Sequence, residues 1–480
     1  MDELVKKSAT ELARLIRARR VSTVEVAEAY LRQIEKLNPA LNAIVTLAPD
    51  VLERAREAES AVMRGETVGT LHGVPITVKD TIETAGLRTT SGTRLRADYI
   101  PATDATAVRR LKDAGAIVIG KTNVPEMALT YECENPLMGR TVNPYDEGRT
   151  PGGSSGGEAA AAATCLSAAG LGSDLVGSIR IPAHFCGITG LKPTADPRRI
   201  PVDGHFPEIF ERLERGGTFG PVARRVEDLS LLFDVLTRSD DVDAARDRNN
   251  LAGASGRPDL RGKRVACYAS DGVIPVTRET VSAVCAAAEA LSEAGLEMID
   301  ELPPSVERGP ALWLELFGQS VRRQMRELFT GREECAGTAV RAMLGRVEVA
   351  TNDDRQRYLK AIEECEMLRA SLIEWMETTP LIIAPVGATP AFEHGARRVN
   401  VEGQSIGVFH AFGYSHTFNV FNLPAVTVPA GRTREGLPVG VQIVGRPYRE
   451  REVLAAASIV EEALGGWQPV ALSTEGHNPL

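Results

Sequence analysis

Two glycine-rich loops that carry serines, Pro151-Gly152-Gly153-Ser154-Ser155-Gly156-Gly157 and Gly172-Ser173-Asp174-Leu175-Val176-Gly177-Ser178-Ile179-Arg180, stand on either side of a run of alanines. Glycine reaches backbone conformations that other residues avoid and lets the chain pass close to a neighbouring group. Such loops are tight turns that place serine hydroxyls beside free N–H donors, an arrangement suited to a developing oxyanion. Ala159–Ala163 is a strong helix former, so the first loop feeds a helix N-terminus. Either loop alone reads equally well as a turn with incidental serines. Their pairing favours a nucleophile and a proton relay.

The surrounding pattern is that of a layered α/β protein. From about residue 71, β-rich runs alternate with helices: Val74–Val78, the helix Ala105–Asp113, then Ala116–Ile119. This predicts a parallel or mixed sheet covered by helices. Further strands are expected at Arg264–Tyr268, Leu381–Ala384, Ala425–Pro429 and Val439–Val444. Over residues 9–38, apolar positions recur at helical spacing (Leu12, Leu15, Ile16, then Val24, Val26, Ala27, Tyr30, Leu31, Ile34), which predicts an amphipathic helical pair with Ser22 capping the second. Residues 276–377 read as mostly helical and charged, for example Asp353–Thr378, and are expected to form a helical insertion over the sheet.

Two motifs mislead. Gly115-Ala116-Ile117-Val118-Ile119-Gly120-Lys121-Thr122 fits the phosphate-loop pattern, but Ala-Ile-Val-Ile is a buried strand whose amides are committed to a sheet. Gly152-Gly153-Ser154-Ser155-Gly156 fits the nucleophile elbow of Ser-His-Asp hydrolases, which needs a hydrophobic strand directly before it. Here the preceding Asn143–Pro151 is polar and broken by proline.

Charge and composition narrow the function classes. Lys and Arg number 55 against 64 Asp and Glu, a net charge of −9, with no dense basic run. A nucleic-acid or anionic-membrane surface is not indicated, and a small uncharged or weakly polar substrate fits better. No stretch approaches the roughly 18 consecutive apolar residues of a membrane span, and Met1–Lys7 lacks the apolar core of a signal peptide, so the cytoplasm is the expected location. Seven cysteines without a Cys-x-x-Cys pair indicate reduced, mostly buried thiols. The seven histidines (His72, His184, His205, His394, His410, His416, His477) show no metal-ligand spacing, and each reads as a packing or surface residue.

Three segments together resemble the amidase signature hydrolases: Gly73-Val74-Pro75-Ile76-Thr77-Val78-Lys79-Asp80, the double-glycine serine loop, and Gly177-Ser178-Ile179-Arg180-Ile181-Pro182-Ala183. Phe421–Gly431 and Gly436–Gln442 are also similar to the family, so the resemblance runs nearly end to end. It implies one α/β domain over residues 1–480, the amidase signature fold, with a twisted mixed β-sheet core covered by helices on both faces. Residues 70–200 form the signature core, and 276–377 the helical insertion near the substrate pocket.

The resemblance further implies Ser178 as nucleophile, Ser154 as proton relay on a cis peptide after Gly153, and neutral Lys79 as base. Backbone amides of Leu175, Val176, Gly177 and Ser178 are the implied oxyanion hole, supported by Ser155, Asp174 and Arg180. No metal and no cofactor are implied. The expected partners are a small-molecule amide or carbamate substrate and water, with a homodimer left open. A lysine serves as base near neutral pH only if burial lowers its pKa from about 10.4, and the strand of Val74, Ile76 and Val78 can supply that burial. Asp80 would oppose this, so it is expected to point away along the strand alternation.

One position departs from the family, whose members commonly carry glycine where this chain has Val176. A β-branched residue does not readily adopt positive φ, so either the dihedrals are ordinary here or the loop is rearranged. Residues 127–137 resemble the fatty acid amide hydrolase and acetamidase branch. That implies small apolar acyl or aryl amides as substrates, with carbamates and esters as side activities, and contacts from Ala128, Leu129, Thr130 and Val176. Trp313 and Phe317 are further candidate contacts. Two alternatives stand beside this: the A-type component of a glutamine-dependent amidotransferase acting on misacylated tRNA, and a non-catalytic binding member of the fold. The first is ranked lower because Ala195-Asp196-Pro197-Arg198-Arg199 and Arg212–Gly217 depart from the corresponding segment of that component, and the second because Lys79, Ser154 and Ser178 are all present.

Overall fold

Apolar runs buried on both faces become the central strands of a sheet with helices on either side. The computed structural model describes residues 2–208, 216–238, 257–345 and 352–470. Its main sheet has eleven strands: β1 Ile44–Leu47, β2 Pro75–Lys79, β3 Ile117–Thr122, β4 Ala169–Asp174, β5 Thr189–Lys192, β6 Thr218–Ala223, β7 Arg264–Cys267, β8 Glu297–Ile299, β9 Leu381–Pro385, β10 Ala425–Arg432 and β11 Pro438–Gly445. The spatial order is β1-β3-β2-β4-β6-β5-β10-β11-β9-β7-β8. Strands β3, β2 and β4 run parallel, as do β9, β7 and β8, and antiparallel pairs link the two groups through β6, β5, β10 and β11. The sheet is therefore mixed, as expected.

The predicted elements form with small shifts at their ends. The N-terminal pair is Ala9–Arg17 and Thr23–Leu41, the second held by a capping box in which Ser22 and Glu25 satisfy each other's backbone amides. The phosphate-loop look-alike is β3, buried along its whole length. Its Lys121 donates to Ile82 O and to Thr84 Oγ1, so it is committed inside the fold. Within 276–377 the described residues are mostly helical, but β8 at the sheet edge went unforeseen. Three residues, one exposed and two half-buried, are too few to show a period-two pattern. Residues 346–351, most of the segment Arg212–Gly217, and His477 lie outside the described residues. Among the described residues, no helix is long and apolar enough to cross a membrane.

The helix Gly156–Ala163 fixes the position of the serine loop. It is buried throughout, which its alanines permit because they bring the helix backbone close to the sheet. One polar side chain crosses that interface: Glu158 accepts from Thr77 Oγ1 on β2 and from Thr122 Oγ1 on β3, each at 2.7 Å. A Cβ at Gly157 would run into the backbone of Asn123 and Ala43, so only glycine allows this close approach.

Because backbone cannot move aside cheaply, Gly157→Ala is expected to destabilise the protein by about 1–3 kcal/mol in urea denaturation. Gly407→Ala, with open space around it, is the control, expected within about 0.5 kcal/mol of the parent.

Candidate active site

Strand alternation and parallel register bring the site together at the carboxyl ends of β2 and β4, the edge where open α/β sheets bind ligands. Thr77 and Lys79 share the face of β2 that looks at the helix Gly156–Ala163, and Asp80 falls on the other. There Asp80 accepts from the Thr90 amide and hydroxyl and lies near Lys121. Lys79 is fully buried. Its Nζ donates to Ser154 Oγ at 2.7 Å, to Ser173 Oγ at 2.9 Å and to the Ser173 carbonyl at 3.4 Å. Burial lowers its pKa to about 7, against the pull of Asp174, which favours the charged form. An amine that is half neutral near pH 7, in direct contact with a serine hydroxyl, can act as a base.

Ser154 follows a cis peptide after Gly153. The loop presses so closely on the backbone of Thr130 and Tyr131 that Gly153 has no room for a Cβ. Ser155 turns inward: its N–H donates to the Ser178 carbonyl at 3.0 Å and its hydroxyl to the Ser173 carbonyl at 3.4 Å, tying the two loops together. Ser178 is 5% exposed and borders the cavities described below.

The second loop is wrapped around one carboxylate. Asp174 accepts from the amides of Gly177 at 2.8 Å and Ile179 at 3.1 Å, from Asn419 Nδ2 at 3.0 Å, and from Arg180 Nη2 and Nε, each at 3.1 Å. Although burial alone would raise it, Arg180 holds the Asp174 carboxyl well below the usual carboxylate range. Arg180 reaches on to Gln442 on β11 and to Asn419, so the C-terminal segments brace the loop. Val176 keeps an ordinary negative φ, and the left-handed conformation falls on Gly177, with φ of 90°. That answers how a β-branched residue is tolerated here.

Most backbone groups of this loop are accounted for. The Leu175 carbonyl accepts from Trp313 Nε1 at 2.9 Å, the Val176 carbonyl from the Tyr131 hydroxyl at 3.0 Å, and the Gly177 carbonyl from the Ile181 amide at 2.7 Å. Tyr131 Oη also lies 2.6 Å from His416 Nε2. Of the four amides named for an oxyanion hole, that of Gly177 is donated to Asp174. Those of Leu175, Val176 and Ser178 carry no hydrogen bond among the described residues, which leaves them available to an anion.

Two cavities meet at Ser178. The inner one, about 310 Å³, is lined mainly by apolar side chains including Met127, Leu129, Leu175, Trp313, Val321 and Met343, with Ser154, Ser173, Ser178 and His205 at one end. The outer one, about 810 Å³, is more polar and includes Arg94, Arg341 and Arg397. Ala128, Leu129 and Val176 border both, and Thr130 borders the outer one. Trp313 borders the inner cavity, whereas Phe317 stands behind Trp313 with ring centroids 5.7 Å apart and faces Gly216. Phe317 supports the wall and is not part of the lining of either cavity.

Sequence reading missed Ser173, Tyr131, His205 and His416 as members of the site. Ser173 lies within the second glycine loop without a distinguishing signal, and the two histidines come from distant segments. Among the described residues no group of His, Cys, Asp and Glu could hold a metal ion.

Removing Asp174 leaves the Arg180 guanidinium buried without its counter-charge. Asp174→Ala is therefore expected to cost about 3–5 kcal/mol in denaturant titration of the purified protein.

Residues 25–454 match the sequence family described as Amidase. The chain is 32% identical over 486 residues to the A-type component of the glutamyl-tRNA(Gln) amidotransferase of Carboxydothermus hydrogenoformans, spanning 96% of this chain and 98% of the relative. It is 31% identical over 488 residues to the same component of the Caldanaerobacter subterraneus subsp. tengcongensis enzyme, spanning 96% and 97%. Among solved structures, a bacterial aryl acylamidase of the amidase signature enzymes superposes with a TM-score of 0.79 at 27% identity, over 95% of this chain and 96% of that one. Fatty acid amide hydrolase shares the fold, with a TM-score of 0.83 at 24% identity over 97% of this chain and 86% of that one. With a family match across most of its length and relatives above 30% identity from end to end, the chain belongs to the amidase signature family, enzymes that act on carbon–nitrogen bonds.

Proposed function

We propose that this enzyme hydrolyses the C–N bond of small apolar acyl or aryl amides through a Ser178–Ser154–Lys79 triad and an acyl-enzyme intermediate. The observation that carries this reading is the buried contact between Lys79 Nζ and Ser154 Oγ at 2.7 Å, beside a cavity lined by both Ser154 and Ser178. Ser178 Oγ attacks the acyl carbon as its proton passes to Ser154 and the Ser154 proton passes to Lys79. When the tetrahedral intermediate collapses, Ser154 passes its proton to the leaving nitrogen and takes one back from Lys79, so the amine leaves protonated. Water then takes the place of the amine and frees the acid.

The oxyanion falls to the amides of Leu175, Val176 and Ser178. A trans peptide points its N–H opposite its carbonyl, so Trp313, by holding the Leu175 carbonyl, also sets the direction of the Val176 N–H. Tyr131 and Asp174 pin the next peptide plane from its two sides. A donor fixed before the charge develops needs no reorganisation in the transition state, and one such donor is worth on the order of 3 kcal/mol.

The apolar inner cavity supports an apolar acyl or aryl group. The A-type amidotransferase reading rests on the 32% identity to that component. Glutamine carries both an ammonium and a carboxylate, and each needs a counter-charge when buried. Among the described residues lining the inner cavity, no Asp or Glu is present to meet the ammonium. The apolar-amide reading is therefore favoured.

A fluorophosphonate probe is expected to label Ser178, to fail on Ser178→Ala, and to react about 10²–10⁴-fold more slowly with Lys79→Ala. Peptide mass spectrometry that finds the adduct on Ser154 or Ser155 would overturn the assignment. Because the base must be neutral and its pKa lies at about 7, kcat/KM is expected to rise with pH and to level off above about pH 8.

Substrate choice is tested with acetanilide, a longer-chain anilide, an aryl carbamate and glutamine. The anilides are expected to lead, since aryl amines leave more readily than alkyl amines. A clear preference for glutamine would decide for the amidotransferase reading instead.

A further inference from the structure

Lys79 has a second hydroxyl partner, Ser173, and the triad gives it no task. Its role follows from the hydrogen-bond chain behind it. A carbonyl can only accept, so the 2.8 Å contact between His205 Nδ1 and the Pro207 carbonyl places a proton on Nδ1. His205 is buried, and burial holds its pKa down to about 3, so the ring is neutral and Nε2 carries a lone pair. Ser173 Oγ lies 3.1 Å from that nitrogen and must donate its one proton to it. Towards Lys79, at 2.9 Å, the same hydroxyl can then only accept.

The consequence reaches the base. As an ammonium, Lys79 has three N–H groups and three partners: Ser173 Oγ, the Ser173 carbonyl and Ser154 Oγ. When it loses a proton, two N–H groups stay on the Ser173 acceptors, neither of which can take a proton. The lone pair therefore faces Ser154. Were His205 unable to accept, the Ser173 hydroxyl could turn and donate to Lys79, covering the lone pair that Ser154 needs.

We propose that His205 is a positioning residue which, acting through Ser173, confines proton exchange by Lys79 to Ser154. This rests on the triad reading above. The reaction stays balanced, because His205 and Ser173 neither gain nor lose a proton over the cycle. They set which way the hydrogen bonds run.

The test uses four variants of the full chain, with fluorophosphonate labelling of Ser178 and anilide hydrolysis at pH 8. His205→Leu is expected to lower the labelling rate and kcat at least tenfold with KM within twofold. His205→Gln, whose side-chain oxygen can accept from Ser173, is expected to stay within threefold of the parent. In a Ser173→Ala background, His205→Leu is expected to have no further effect, since there is no hydroxyl left to turn. A wild-type rate for His205→Leu would overturn the proposal, as would an undiminished loss in the Ser173→Ala background. If His205→Leu does not fold, a His205→Gln rate more than tenfold below the parent overturns it instead. Lys79→Ala is run in parallel: a wild-type rate there would mean the triad reading itself has failed.

Discussion

Burial of a single amine organises the structure. Lys79 can act as a base near neutral pH only where water is excluded, and it loses that capacity if a carboxylate reaches it. Both conditions come from the geometry of β2 and its neighbours. Strand alternation sends Asp80 to the far face, towards Lys121 and Thr90. On the near face, the helix Gly156–Ala163 packs against β2, and Lys79 is fully buried. Glu158, which enters that interface from the helix, is occupied by two threonine hydroxyls, and burial raises its pKa to about 7. The amine is thus surrounded by hydroxyls and carbonyls, which hydrogen-bond it without fixing its charge.

The second loop depends on a charge handled in the opposite way. Asp174 stays ionised because Arg180 and several N–H donors converge on it, and its pull on the Gly177 amide shapes the turn that carries Ser178. Asn419 and Gln442, far along the chain, complete the coordination of Arg180. This couples the loop that carries Ser178 to β11 and to the helix Gly413–Val420. These C-terminal segments hold the loop through Asn419 and Gln442.

Trp313 shows how the helical segment contributes. Its ring forms part of the apolar wall, and its N–H holds a carbonyl in the loop beside Ser178. One side chain therefore both lines the inner cavity and holds the loop, and Phe317 supports it from behind.

Much of this was legible in the sequence, because short-range physics settles it. The strand character of Ile117–Thr122, the capped helix from Thr23, and the glycine loops around Ser154 and Ser178 each follow from neighbouring residues. The phosphate-loop and elbow patterns were set aside on the same ground. Three things could be decided only by tertiary structure. The short edge strand Glu297–Ile299 carries too little pattern of its own and forms because β7 offers an open edge. Which of the four candidate amides stay free depended on where Asp174 pointed. The histidines at 205 and 416 give no local signal, since a buried imidazole reads alike whether it packs or directs a hydrogen bond. Their roles come from hydrogen bonds between residues tens to hundreds of positions apart, Ser173 with His205 and Tyr131 with His416, contacts that exist only once the sheet has brought those segments together.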